Sequence, residues 1–470
     1  MAVDEAVQES GVPHEAVAAG VVALAEWAAA VRWEDIPDKV RRRAALILCD
    51  DLAAIIAARG EPEIVQLQDQ LVRQSGRANE ATVFRGGRDR VDRYSAAVAN
   101  AAAADWTELD EGYRRVICHA GLYTVPALLA EAEADGLSVE EMIRALAVSY
   151  EIAGRFARTF VFPGLVLHPH AYLAAVGAAA AVAVARRLPA KHLLDAVTAA
   201  STAVAPGPYN HAVLGALVRN IWPAVGAWTG MRCVDWAGFG IAGLPRSPYD
   251  VFVEGLGAEA RPEQLTDGLG REWAVEDGYH KIHACCQYSH SAVEATLDLL
   301  RQLPEGRRPE EADAIRVETH WRGLTLDNYE PGTTLAAKFS MPHIVAVAGL
   351  FGHAGADAFA ATTLHDANVS ALRRKVELAP FAPEPAWPND RPARVTWRFG
   401  NAEAQAECLS ARGGPDRPFT TEEILDKIAG IAAPVYPQMA PVARRIVQLD
   451  AVALNQSWTD LVGEMTGPAR

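Results

Sequence analysis

Between Asp105 and Pro126 the chain reads DWTELDEGYRRVICHAGLYTVP, with four acids, two adjacent arginines, a tyrosine and a histidine in one short segment. Its chemically capable side chains are Glu108, Tyr113, Arg114, Arg115 and His119. A charged segment held between rigid elements is where binding and catalysis concentrate, and a solvated loop laced with ion pairs is the competing reading. Further on, His168-Pro-His170 stands directly before an apolar run. A histidine at a helix N-terminus suits an anion contact or a proton donor. As a metal pair it lacks a third ligand at regular spacing, and no HExxH is present, so no metal is expected. Arg219 sits in Val218-Arg219-Asn220, and Lys281 opens Lys-Ile-His-Ala-Cys-Cys286. Only six of the 44 basic residues are lysine. A position that keeps an amine where arginine otherwise serves fits a group that must lose a proton.

These residues must be positioned by the elements around them. Helical spacing runs through 14–31, 35–60, 66–74 and 91–104, with the short apolar run Ala81–Phe84 between the last two. The alanines Ala101–Ala104 close the helix before the charged segment, and an Ala/Leu/Glu helix is expected from near Tyr123. Ser138-Val-Glu-Glu141 reads as a capping box launching a helix through Tyr150 to about Phe160. An alanine-rich helix follows His170, another spans 193–204, and 213–238 reads as helical. Near Gly270 the pattern changes. A helix from about Ser291 is followed by alternating strand patterns at 314–321, 394–399 and 404–409, the last two joined across a Gly-Asn turn, with a buried helix at 342–351. Residues 420–465 are helical again. The expected architecture is mainly α: an all-helical domain over 1–270, a smaller α+β lid over 271–415, and helices of 416–470 packing back onto the first.

With 470 residues, half of them hydrophobic, the chain can bury a large core. A net charge of −15 argues against nucleic acid as a partner. Positive charge for an anionic ligand must then be concentrated in a cleft. Six cysteines without CxxC spacing point to buried thiols in a reducing cytosol. The N-terminus opens with acids and lacks the order of a signal peptide. The most apolar window, Ala171–Ala185, is 15 residues long, short of the roughly 20 a bilayer needs, so a core helix is expected rather than a membrane span.

Taken in order, these segments resemble the MmgE/PrpD family, which includes 2-methylcitrate dehydratase, cis-aconitate decarboxylase and iminodisuccinate epimerase. Glu108-Leu-Asp-Glu-Gly-Tyr-Arg with His119-Ala-Gly and Val125-Pro-Ala-Leu is similar to the family's acidic motif, HPG and following helix. Tyr150-Glu151 stands at its GYE and His168-Pro at its HPT. Lys281–Cys286 resembles KPYPCC, and Ala337-Lys-Phe-Ser340 resembles ARFS. The resemblance implies a helical domain with an α+β lid, a homodimer, no metal or organic cofactor, and a small di- or tricarboxylic acid as substrate. It also implies proton removal next to a carboxylate, ending in dehydration, decarboxylation or reprotonation. On that reading His119 and Lys281 are the acid–base candidates, and Arg219 clamps a carboxylate. Arg114, Arg115 and His168 add positive charge for the carbanion. Tyr150 opposite Lys281 would serve a two-base epimerase, and loss of catalysis would leave a binding protein. The sequence departs from the dehydratase pattern at Gly112 and Tyr113, at Arg219 where decarboxylase-like members carry lysine, and at Ala120 in place of the HPG proline.

Overall fold

The structure is a computed structural model that describes residues 11–467. The acidic N-terminal opening read above against a signal peptide lies outside them. Ten helices make up the first part of the chain: α1 Gly11–Ala30, α2 Asp38–Ala57, α3 Pro62–Gln74, α4 Arg93–Trp106, α5 Ala120–Asp135, α6 Val139–Thr159, α7 Pro169–Ala185, α8 Ala190–Thr202, α9 Asn210–Leu214 and α10 Trp222–Gly238. The alanine-rich α7 is central, touching α5, α6, α8 and α10. Its small side chains let neighbouring helices approach closely on every side, so it is apolar all round, as a fully buried helix must be. Among the described residues no helix is long and apolar enough to cross a membrane.

Local signals set most boundaries. Ser138 Oγ accepts from Glu141 N at 3.2 Å and caps α6. The Glu141 carboxylate turns to Arg144 and Arg187 instead of back to the cap, so only half of the expected capping box forms. The helix expected from near Tyr123 begins earlier, at Ala120, and accommodates Pro126 in its interior. The stretch 213–238 is not one helix. Gly215, at φ +77°, ends α9, a 3₁₀ turn spans Leu217–Ile221, and Pro223 sits in the first turn of α10. Arg219 therefore projects from a tight turn rather than from a helix face.

In the second part four strands form one sheet: β1 Ala314–Thr319, β2 Val376–Pro380, β3 Ala393–Phe399 and β4 Ala402–Cys408, in the order β4-β3-β1-β2. β3 and β4 form an antiparallel hairpin with Phe399 opposite Ala402, and Gly400 in its turn takes φ +61°. β2, which the sequence pattern did not reveal, pairs in parallel with β1. Helices His290–Leu300 and Met341–Phe351 contribute apolar residues to the core shared with the sheet. Gly349 makes room there, because a Cβ at that position would collide with the Trp397 ring.

Two apolar cores result. One joins residues of α1–α8 and α10 with Ile424, Met439, Val442, Trp458 and Leu461 of the C-terminal helices, so these pack onto the helical part. The other collects the sheet, its two helices and the Cys285–Cys286 segment. All six cysteines are buried and unpaired.

Candidate active site

The charged loop after α4 leaves the helix with Asp105 still in its last turn and reaches α5 at His119, which occupies the N-cap position. Within it Glu108 adopts φ +56°, a left-handed conformation that costs a non-glycine residue of order 1 kcal/mol or more. Such strain persists only where neighbours fix it, and here they do. Glu108 Oε1 accepts from Arg219 Nη1 at 2.5 Å, and its Oε2 lies 3.5 Å from Lys281 Nζ. Arg219 Nη1 also donates to Asp105 Oδ1 at 2.7 Å, and its Nε meets His168 Nε2 at 3.3 Å. Lys281 Nζ donates to Asp110 Oδ1 at 3.3 Å, and Asp110 Oδ2 meets His119 Nδ1 at 2.6 Å. His168 is the N-cap residue of α7, held there by Pro169 in the first turn.

Three of the six lysines converge on this loop. Besides Lys281, Lys338 Nζ donates to Trp106 O at 2.7 Å and closes the end of α4. Lys427 reaches in from the C-terminal helices to Leu109 O at 2.9 Å and to Asp50 at 2.7 Å. A thin stem with a compact three-donor head suits a buried carbonyl better than a planar guanidinium does.

Electrostatics assign protonation states. Flanked by Asp110 and Glu108, the buried Lys281 amine is held more strongly protonated than usual, against its own burial. It is an ammonium at neutral pH, the opposite of the proton-losing role its rarity suggested. Burial and the nearby cations Arg219 and Lys281 push His168 and His170 well below the ordinary imidazole range, so both are neutral. His168 thus has no proton to spare as an acid, and its Nε2 accepts from Arg219. Lys281 and His119 hold the Asp110 carboxyl below the usual carboxylate range despite burial. An ionised Asp110 favours the His119 tautomer with its proton on Nδ1, and among the described residues Nε2 meets no hydrogen-bond partner.

A cavity of about 30 Å³, the share of one water molecule, lies against this cluster. Glu108, His119, His168, Tyr209 and Arg219 line it together with Cys286, Gln287, Tyr288, Phe339 and Arg391. The remaining sequence candidates are not part of the lining. Arg114 is buried and bonded to Pro388 O at 2.8 Å and Asp390 at 2.6 Å, with its guanidinium over Trp387. Arg115, half exposed, pairs with Asp277 at 2.9 Å and faces a neighbouring groove. Tyr113 belongs to a two-residue strand paired with Gly278 and Tyr279. Tyr150 is wholly buried and donates to Glu111 Oε1 behind the loop. The cleft is also less cationic than expected, because Arg219 and Lys281 are already matched by Asp105, Glu108 and Asp110.

Several participants were absent from the sequence candidates. Asp110 and Asp105 lay inside the singled-out segment, but no periodicity marks which acid in a loop will meet a histidine. His170 had been noted only as a possible metal ligand. Its Nδ1 meets Tyr123 OH at 2.9 Å and its Nε2 meets Asp105 at 3.0 Å, so neither ring nitrogen is free. Among the described residues no group of three or more His, Cys, Asp or Glu side chains is arranged to hold a metal ion. Arg391 carried no sequence signal at all. Lys338 and Lys427 carried the same rarity signal as Lys281.

Beneath the loop Glu111 accepts from Tyr150 OH and, at 3.1 Å, from Gly121 N. Gly121 has to be glycine, because a Cβ there would run into the Asp51 carboxylate. Burial next to Asp110 raises the Glu111 carboxyl to about 8, even with Arg43 nearby. The folded state therefore holds this proton more tightly than the unfolded chain does. Its contribution is favourable at low pH and is lost as pH rises from about 4.5 through about 8. The buried histidines, with depressed values, act in the opposite sense at lower pH. Comparing Glu111→Gln with the parent isolates the glutamate. The variant should gain thermal stability relative to the parent between pH 5 and pH 8, and a difference in Tm that does not change with pH would contradict the assignment.

Comparison with known proteins identifies the family of the chain. A family model for the MmgE/PrpD N-terminal domain matches residues 22–259, and one for the MmgE/PrpD C-terminal domain matches residues 283–451. A cis-aconitate decarboxylase-like protein of Aspergillus oryzae is 24% identical over 445 residues, covering 88% of this chain and 90% of that protein. A cis-aconitate decarboxylase of Aspergillus terreus is 26% identical over 307 residues, 61% of each chain. With both domain models matched across most of its length, the chain belongs to the MmgE/PrpD family.

Proposed function

We propose that this protein is a lyase, a hydro-lyase in the first instance, that removes a proton next to a carboxylate of a small di- or tricarboxylic acid. The observation that carries the reading is the Asp110–His119 pair at 2.6 Å on the wall of a cleft flanked by Arg219 and Lys281. Asp110 orients His119 and stabilises the imidazolium formed when Nε2 accepts the substrate's C–H proton. The electron pair left on carbon spreads into the neighbouring carboxylate and then expels the β-hydroxyl. His119 returns its proton to the departing hydroxide, so a carbon–carbon double bond and one water are formed and the enzyme is regenerated. One base suffices for this sequence. The two-base epimerase is less well supported, since Tyr150 is buried behind Glu111 and Lys281 is locked between carboxylates. The departure at Arg219, where decarboxylase-like members carry lysine, favours water loss over loss of CO₂. The proposed chemistry uses only side chains of this chain.

The test is to incubate the purified protein with citrate, 2-methylcitrate, cis-aconitate and iminodisuccinate, with and without EDTA, and to identify products by NMR. Water loss or addition on one of the tricarboxylates, unchanged by EDTA, is the expected result. Release of CO₂, epimerisation alone, or an EDTA-induced loss reversed by a divalent cation would overturn the assignment.

A further inference from the structure

Arg391 stands out among the cationic groups around the cleft. It is 8% exposed, it lines the same cavity as His119, and it has no carboxylate partner among the described residues. Among the described residues its side chain makes one hydrogen bond, from Nη2 to Arg114 O at 3.2 Å, and Nε and Nη1 are buried without partners. The adjacent acid, Asp390, is committed to Arg114 at 2.6 Å. The guanidinium lies over the Tyr288 ring, 5.1 Å from its centroid, and Ser291 Oγ pins its backbone by donating to Arg391 O at 2.6 Å. A buried cation without a counter-ion is destabilising, so a position that keeps one is incomplete as it stands. Arg219 and Lys281 already have carboxylates from the protein. Arg391 leaves Nε and Nη1 without a protein partner among the described residues, and a guanidinium N–H is a strong donor to a carboxylate. Burial and the nearby Arg114 lower its pKa to about 10, which still leaves it charged at neutral pH.

We infer that Arg391 binds a carboxylate of the substrate remote from the reacting C–H, and so selects acids that carry this additional carboxylate. The inference rests on the polycarboxylate reading above and adds to it a specificity residue from the second part of the chain. Because Arg391 and His119 line one cavity, a ligand that reaches both uses binding energy from the remote carboxylate to help place the reacting carbon.

Isothermal titration calorimetry with two inert probes tests this. Propane-1,2,3-tricarboxylate has one carboxylate more than glutarate on the same chain length. The parent protein should prefer the tricarboxylate by about ten- to a hundredfold, the range for one charge-assisted contact. In Arg391→Gln that preference should collapse to near unity, with glutarate binding little changed. Arg391→Lys should fall between the two, and it also serves as the readout if the glutamine variant fails to fold. A purely structural role would weaken both ligands by the same factor, and that outcome would overturn the assignment of Arg391 while leaving the polycarboxylate reading intact. A parent protein that binds neither acid would overturn both.

Discussion

His119→Gln is expected to lower kcat by about a hundred- to ten-thousandfold, the usual contribution of a positioned general base. Glutamine retains a polar group next to Asp110 but cannot take up a proton. The ring interacts with Asp110 at 2.6 Å and is otherwise at the cavity surface, and Asp110 keeps Lys281 at 3.3 Å when the ring is removed. Thermal stability should therefore change little. Because proton transfer takes place only in the transition state, kcat and kcat/KM should fall together while KM stays in place. Steady-state kinetics on the acid identified in the product survey check this. Activity within about tenfold of the parent would remove His119 from the chemistry.

Arg219→Ala is expected to cost about 3–5 kcal/mol of folding stability, as removing one partner of a buried ion pair does. The guanidinium is matched by Asp105 and Glu108 and donates to His168, all of them buried. Its loss would leave Asp105 without a cation, and Glu108, with its strained backbone, held only by Lys281 at 3.5 Å. Arg219→Lys keeps the charge, but a single ammonium cannot reproduce three contacts in different directions, so an intermediate loss is expected. Denaturant unfolding measures both. An alanine variant as stable as the parent would show that the ion lattice is not what holds the loop. The sequence assigned Arg219 the role of a substrate clamp. Its nitrogens are largely committed to the protein, and Arg391 is the guanidinium left free.

What the sequence made legible follows from range. The helices and the three alternating strands were readable because each is set by local spacing and caps. The Thr420 capping box with Glu423 is one example, formed as its pattern implies. β2 escaped because Val376–Pro380 is five residues long, ends in proline and acquires its role only by pairing with β1, some sixty positions earlier. The break at Gly215 was hidden by apolar residues on both sides. In the candidate site, His119, His168, Arg219 and Lys281, which the fold brings together, were singled out by residue type and family order. Their protonation states were not, because these depend on partners such as Asp110 and Asp105 that only the folded loop supplies. Arg391 is the extreme case. What singles it out is the absence of a partner, which no linear pattern encodes. Lysine scarcity, by contrast, was a stronger signal than its use implied, since it marked Lys338 and Lys427 as well as Lys281 around the same loop.

The claim on which the rest depends is that a hydrogen next to a carboxylate is removed by a protein base. The most direct measurement is to incubate the protein in D₂O with the tricarboxylate it converts, and its unsaturated product, and to follow the carbon next to the carboxylate by NMR. The account predicts one deuterium introduced at that carbon for each water added to the double bond, and loss of this incorporation together with turnover in His119→Gln. Conversion that leaves the original C–H bond intact would contradict it.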